Sequence, residues 1–225
     1  MGEDDSVEPI GSEVVIRAEG GARQARRPPT QSRGRARVEA ILDAAGAIVA
    51  AEGLAGLTMH GIARRAQTSI GSLYHFFPDR NSVVQALVDR HEAGIREIND
   101  ELAKVSREVW RSLSAADAIA RLMMPYVEYL RRHKDFFPLM HDRQPDANAA
   151  GFIQGVGRIL DARLPKTRPA VRGRYAAMLH AIAAGTLNIA FVQDPGRLPL
   201  YLNEVVRVMS AYLADIECSS NKSLS

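Results

Sequence analysis

The stretch ARRAQTSIGSLYHFFPDR, residues 63–80, sets slim residues beside aromatic bulk: Thr68, Ser69, Gly71 and Ser72 precede Tyr74, His75, Phe76 and Phe77. Leu57-Thr58 opens a short helix upstream, with Thr58 as its N-cap and Ile62, Ala63 and Ala66 facing inward. A break at Gln67–Thr68 precedes a third helix over about residues 69–76. Phe77-Pro78-Asp79 ends it, because proline cannot continue a helix interior. Two short helices joined by a tight turn make a helix-turn-helix unit. Its second helix has to enter a groove about 12 Å wide, and the thin side chains suit that entry. Leu73 and Phe77, four residues apart, anchor its inner face.

Working outward, Ile41, Leu42, Ala45, Ile48 and Val49 share one face of a preceding helix that Gly53 stops. Downstream, Val84, Val88, His91, Ile95, Ile98, Leu102 and Val105 form the seam of a long fourth helix, residues 80–105, with Asp79 or Asn81 as its cap. Further helices are expected over residues 114–133, 134–143, 146–164, 169–193 and 198–217, punctuated by prolines. No segment keeps a period of two, so the expected fold is all-α.

Residues 37–87 resemble the N-terminal domain of the tetracycline-repressor (TetR) family. The resemblance rests on Ala44-Ala45, Glu52-Gly53, Leu57-Thr58, Ile62-Ala63, Gly71-Ser72-Leu73-Tyr74, Phe77 and the basic Arg80. It implies a double-stranded DNA operator as partner, a homodimer, and a small-molecule effector held by the C-terminal half. Repression is the family default. Three departures stand out: Gln67 where the turn usually has glycine, Thr68 for valine, and Ile70 where a polar base reader is common.

The DNA-binding residues expected are Arg33, Arg35, Arg37, Thr58, His60, Thr68, Ser69, Ile70, Gly71, Ser72, Tyr74, His75 and Arg80. Arg80 is expected to grip a phosphate, and Ile70 to touch a thymine methyl. Residues 33–80 carry six arginines against four acids, a small excess, so the upstream arm with Arg23, Arg26 and Arg27 gains weight. Chain organisation reads as a tail (1–31), a helix-turn-helix domain (32–80), a helical regulatory and dimerisation domain (81–217) and a second tail (218–225).

An apolar effector pocket is expected among Trp110, Met123, Tyr126, Phe136, Phe137, Met140, His141 and Phe152. The dimer is expected through two helices carrying Met178, Ile182, Gly185 and Ile189, and Leu202, Val205, Val206, Met209, Tyr212 and Leu213. The bland alternative is that both stripes are core within one chain.

Composition agrees with a soluble regulator. The 225 residues are 46% hydrophobic and 24% charged, with net charge +3. The single cysteine, Cys218, excludes an intrachain disulfide and suits a reducing cytoplasm. No run of about 18 uninterrupted apolar residues suggests a membrane span. No catalytic residue, cofactor or metal site is expected: nucleophile elbow, phosphate-binding glycine loop and His-Glu-x-x-His are all missing from the sequence. The rival readings are an enzyme, and a helical dimer that is not ligand-controlled or has lost its DNA reading.

Overall fold

The computed structural model describes residues 29–140 and 147–222, and every regular element among them is helical. Helix α1 spans Pro29–Glu52, α2 Met59–Arg65, α3 Ile70–Phe76, α4 Arg80–Ala103, α5 Arg107–Ser112 and α6 Ala115–Arg132. They are followed by α7 Phe136–Met140, α8 Ala147–Arg163, α9 Pro169–Gln193 and α10 Leu198–Lys222, with single 3-10 turns at Leu54–Gly56 and Pro195–Arg197. Helix α1 thus begins inside the expected tail, α10 runs past residue 217, and α5 had no counterpart in the sequence reading. The arm arginines Arg23, Arg26 and Arg27, and His141, lie outside the described residues.

Local chemistry places most helix starts. The Thr58 hydroxyl accepts from Gly61 N at 3.1 Å, and the Ser69 hydroxyl from Ser72 N at 3.1 Å. Asp79 takes Ser82 N at 2.7 Å, while the Ser82 side chain returns to the Asp79 backbone, a reciprocal cap. Gly53, at φ 69, closes α1 in the left-handed region where glycine is favoured.

A small core holds the head together. Ile41, Leu42, Ala45, Ile48 and Val49 of α1 pack on Leu57, Ile62, Ala63, Leu73 and Phe77. Val83, Leu87 and Val88 of α4 complete it, so the head extends beyond residue 80. It also takes Leu139 and Met140 from α7, more than 50 residues downstream. Met140, expected in the effector pocket, therefore belongs to the head.

A second, larger core joins α4, α5, α6, α8, α9 and α10. Leu202, Val205, Met209 and Leu213 are 0–1% exposed within one chain. Four residues expected at the dimer interface are thus internal packing, and Ile182, Val206 and Tyr212 are half-buried against the same core. The reason is simple. Periodicity identifies an apolar face, but α6 and α9 reach that face of α10 before any partner chain does.

Candidate nucleic-acid interface

The head is held by 14 buried side chains from α1, α2, α3, α4, α7 and their connections, with the short helices α2 and α3 each capped locally at the start. The turn between α2 and α3 is the tightest point. Gln67 sits at φ 51, the one positive-φ residue other than glycine among the described residues. Thr68 N donates back to Ala63 O at 3.0 Å, closing the turn.

Helix α3 then presents its slim start to solvent. Ser69 and Gly71 are exposed and Ser72 half-buried, while Leu73 is fully buried beneath them. Adding a Cβ at Gly71 would meet nothing within 4 Å, so this surface is open. The Ser69 oxygen is engaged as a cap acceptor, yet its hydroxyl hydrogen stays free to donate outward. Tyr74 is 48% exposed, and His75 is exposed with its ring edge-on to Phe76 at 5.2 Å. Tyr74 and His75 therefore stand on the outer side of the helix.

Ile70 is only partly exposed and packs against the head core. That placement leaves it only a small outward surface. Arg80 departs from expectation more sharply. Its Nε donates to Leu57 O at 2.9 Å, and a second guanidinium nitrogen donates to Leu54 O. The side chain is a half-buried clamp on two carbonyls at the 3-10 turn, one of which, Leu54 O, also accepts from Leu57 N, so its fork is committed inside the head. Thr58 is spent as the α2 cap, and His60 lies exposed as the second residue of α2.

From α1, Arg33, Arg35 and Arg37 are exposed. Arg37 reaches across to α3, its Nη1 donating to Thr68 Oγ1 at 3.2 Å and to Ser72 Oγ at 3.4 Å. Sequence reasoning had named all three residues without joining them. The signal lay in the spacing of α1 against α3, which only the folded head supplies. Arg64 and Arg65 also face solvent, lining a shallow depression with Ile48, Glu52, Gly56, Thr58 and Gly61.

The expected effector residues divide among three places. Trp110, Met123, Tyr126 and Phe152 share the large core. Phe136 touches that core and a smaller cluster of Val127, Leu130, Leu187 and Leu202, which Phe137 also joins. Tyr126 donates its hydroxyl to Asn99 Oδ1 at 2.5 Å, and burial pushes its pKa up. Phe152 packs on Tyr126 at 5.3 Å and on His180 at 5.7 Å. His180, which the sequence reading passed over, has its pKa lowered by burial.

At the junction of head and body lies a polar cluster that sequence reasoning read as apolar seam. His91 is fully buried, with Nδ1 2.8 Å from Tyr129 OH and Nε2 3.1 Å from Asp135 Oδ2. Arg90 donates to Asp43 of α1 at 2.7 Å and lies 3.8 Å from Asp135. Burial raises the Asp135 pKa, but the His91 hydrogen bond and charge, with Arg90, outweigh it and hold the carboxyl below its usual range. Burial, then Asp135, pushes Tyr129 up to about 12. Two glycines make room: a Cβ on Gly46 would stand 2.6 Å from Asp135 Oδ2, and one on Gly94 would stand 2.5 Å from the Tyr129 ring. No group of metal-ligating side chains occurs among the described residues.

Comparison with known proteins agrees with this geometry. Residues 41–87 match the family model "Bacterial regulatory proteins, tetR family", and residues 114–213 match "Tetracyclin repressor-like, C-terminal domain". The HTH-type transcriptional repressor KstR of Mycolicibacterium smegmatis is 26% identical over 134 residues, covering 57% of this chain and 61% of that protein. The alignment thus spans about three fifths of the curated relative's length. A Rhodococcus transcriptional regulator superposes with a TM-score of 0.57 at 19% identity, over 79% of this chain and 96% of that one. FadR of Bacillus subtilis, solved with stearoyl-CoA, gives 0.51 at 14% identity, over 77% and 98%. SmeT, the repressor of a Stenotrophomonas maltophilia efflux pump, gives 0.55 at 19%, over 77% and 88%. With both of its domains matched by family models and its helical head and body in place, the chain belongs to the TetR family of bacterial regulatory proteins.

Proposed function

We propose that this protein is a homodimeric, ligand-responsive repressor that holds a palindromic operator and releases it when a small apolar molecule binds the helical body. The observation that carries the reading is the solvent-facing start of α3: Ser69, Gly71 and Ser72 stand on a rigid head, with the Arg37 guanidinium beside them. Such a surface fits a major groove, and groove reading needs two copies about 34–36 Å apart on successive turns. Such a regulator works in the cytoplasm, where its operator lies.

The pairing surface is the outer side of α9 and α10. Met178 (50% exposed), Ile189 (56%), Val192 (62%) and Val208 (46%) are apolar and uncovered, with Gly185 exposed between them. Helix α9 reaches a mean hydropathy of 1.5 over its most apolar window, enough by length and composition for a membrane span, though only 28% of that window is buried. Since α8 and α10 cover its inner side, a second copy of the chain suits the outer one.

An apolar effector is supported by the aromatic and methionine lining of the body, Trp110, Met123, Tyr126 and Phe152. Two neighbours of the same fold were solved with molecules that carry a large apolar part, FadR with stearoyl-CoA, whose acyl chain is apolar and whose coenzyme A group is charged, and SmeT with triclosan. Repression is favoured by the relative KstR, itself a repressor.

Selection of random-sequence duplexes with the full chain tests the core of this reading. It should enrich a palindrome whose half-site centres lie about 10 base pairs apart, or a multiple of that. Enrichment of no sequence would defeat it. Fatty acyl-CoA and chlorinated phenol probes, titrated into the complex, should then lower duplex affinity, and by linkage the duplex should weaken probe binding by the same factor.

A further inference from the structure

We infer that Arg37 is a base-reading side chain, aimed by Thr68 and Ser72, that supplies the guanine-selective donor fork α3 does not carry. The inference rests on the DNA-binding reading above and adds the base pair recognised and the residue that recognises it.

Helix α3 runs Ile70-Gly71-Ser72-Leu73-Tyr74-His75-Phe76 and contains no arginine, lysine, asparagine or glutamine. The commonest specific contact to a G·C pair is a bidentate one from arginine or lysine to guanine O6 and N7. The position best placed for a polar reader, Ile70, is turned partly into the head core. A donor fork must therefore come from a neighbouring element if the groove is to be read at guanine.

Arg37 is the arginine that the fold brings to the start of α3. Its Nη1 reaches both Thr68 Oγ1 and Ser72 Oγ, 31 and 35 residues away in sequence. Those two hydrogen bonds use the two Nη1 hydrogens. The Nε and Nη2 hydrogens remain, and together they form the planar edge that matches guanine. No carboxylate pairs with Arg37 among the described residues, so no ion pair has to break on binding.

Other cations are placed less well. Arg80 is bound to the Leu54 and Leu57 carbonyls. Arg64 and Arg65 line a depression with Ile48 and Glu52, at the far end of α1. Ile48 is three turns of helix beyond Arg37, roughly 16 Å along the axis at 1.5 Å per residue. Arg33 stands one turn before Arg37 on the same side of α1, exposed and without a bond to α3, as suits a phosphate contact instead.

Specificity separates this role from simple charge. A base contact is lost at one position of the site, while a phosphate contact is lost uniformly and lowers the salt slope by about one per contact. The full chain and its Arg37→Ala, Arg37→Lys and Thr68→Val/Ser72→Ala variants are each put through random-duplex selection and salt-dependent anisotropy on the wild-type consensus. Thermal melting serves as the control for folding, which an exposed Arg37 should pass. The wild type is expected to select a guanine at one fixed place in each half-site. Arg37→Ala should lose that preference alone and bind the consensus about 10- to 100-fold more weakly. Arg37→Lys should also lose it with an unchanged salt slope, because an ammonium keeps the charge but not the planar fork. The hydroxyl double variant should weaken the same preference in part. A uniform loss with a shallower slope would make Arg37 a phosphate contact and overturn the proposal, as would selection indistinguishable from wild type. If the wild type itself enriches no sequence, the regulator reading fails first and this inference with it.

Discussion

At Gln67 the chain turns through φ 51 with a side chain that prefers the opposite sign. A residue in that region costs roughly 1–2 kcal/mol where glycine costs little. Gln67→Gly should therefore stabilise the head by about 0.5–1 kcal/mol, once the flexibility of glycine in the unfolded chain is set against the strain. Chemical denaturation of the two proteins measures this, and a lower midpoint for the glycine variant would contradict it. Arg80 is the second informative residue. Arg80→Met keeps the stem but strands the Leu57 carbonyl and leaves Leu54 O with only the Leu57 N–H, and should cost about 1–3 kcal/mol. Because the guanidinium is committed inside the head, the salt slope of DNA binding should stay the same, whereas a phosphate-gripping Arg80 would make it shallower. Its charge was legible in the sequence. Its partner was not, since the carbonyls it caps belong to a 3-10 turn more than 20 residues upstream.

Among the elements, α7 is where local patterning misled most. Its five residues carry Leu139 and Met140 into the head core, while Asp135 just before it fills the notch left by Gly46 on α1. Gly46→Ala puts a methyl 2.6 Å from Asp135 Oδ2 and should cost about 1–3 kcal/mol through overpacking. A variant as stable as wild type would show that Asp135 can move aside freely. The same cluster sets a pH dependence. His133, stacked on Tyr129 at 4.2 Å, has its pKa lowered below 6.5 by burial, then by His91. In the unfolded chain it takes a proton first as the pH falls, so stability should decline as pH drops below about 6.5. Asp135, held below 3.8, contributes stability that is present above that value and lost on further acidification. Both act in one direction: denaturation midpoints should fall in two steps from pH 7 toward pH 3. His180, whose pKa burial also lowers, acts in the same window and direction, so a flat profile between pH 7 and 5 would remove both histidines from the account, and His133→Gln separates the two. The fourth helix itself was read correctly as a long seam, yet its apolar period hid a histidine that pairs with Tyr129 and Asp135 from other elements.

For the whole molecule, the proposed dimer would form through the exposed faces of α9 and α10. The residues to disrupt are those left uncovered, Met178, Ile189 and Val208. Ile189→Glu together with Val208→Glu should convert the dimer to monomer in sedimentation equilibrium while each chain keeps its helical content. Operator affinity should fall at least 100-fold, because one head then meets one half-site. A variant that still sediments as a dimer would place the interface elsewhere. Head and body meet at α1, α4, α6 and α7 through Asp43, Arg90, His91, Tyr129 and Asp135. Any effector that shifts α6 has a direct physical route to α1 by way of that cluster.

The local chemistry of residues 41–88 marks the helices and most of the core of the head, to which α7 adds Leu139 and Met140. Thr58, Ser69 and Asp79 each cap a helix from three residues away, Gly53 terminates one, and Leu73 and Phe77 share a face, all within reach of a few residues of chain. Partner choice was another matter. The stripe at Leu202, Val205, Met209 and Leu213 reads identically whether α6 of the same chain or a second copy covers it, and the structure gives it to α6 and α9. Likewise the Arg37–Thr68–Ser72 group, the Arg80 clamp and the Tyr129–His91–Asp135 cluster join residues 23 to 44 positions apart. A short-range pattern sets which faces must be buried and which ends must be capped; which distant group does the burying or accepts the proton is set by how whole helices pack.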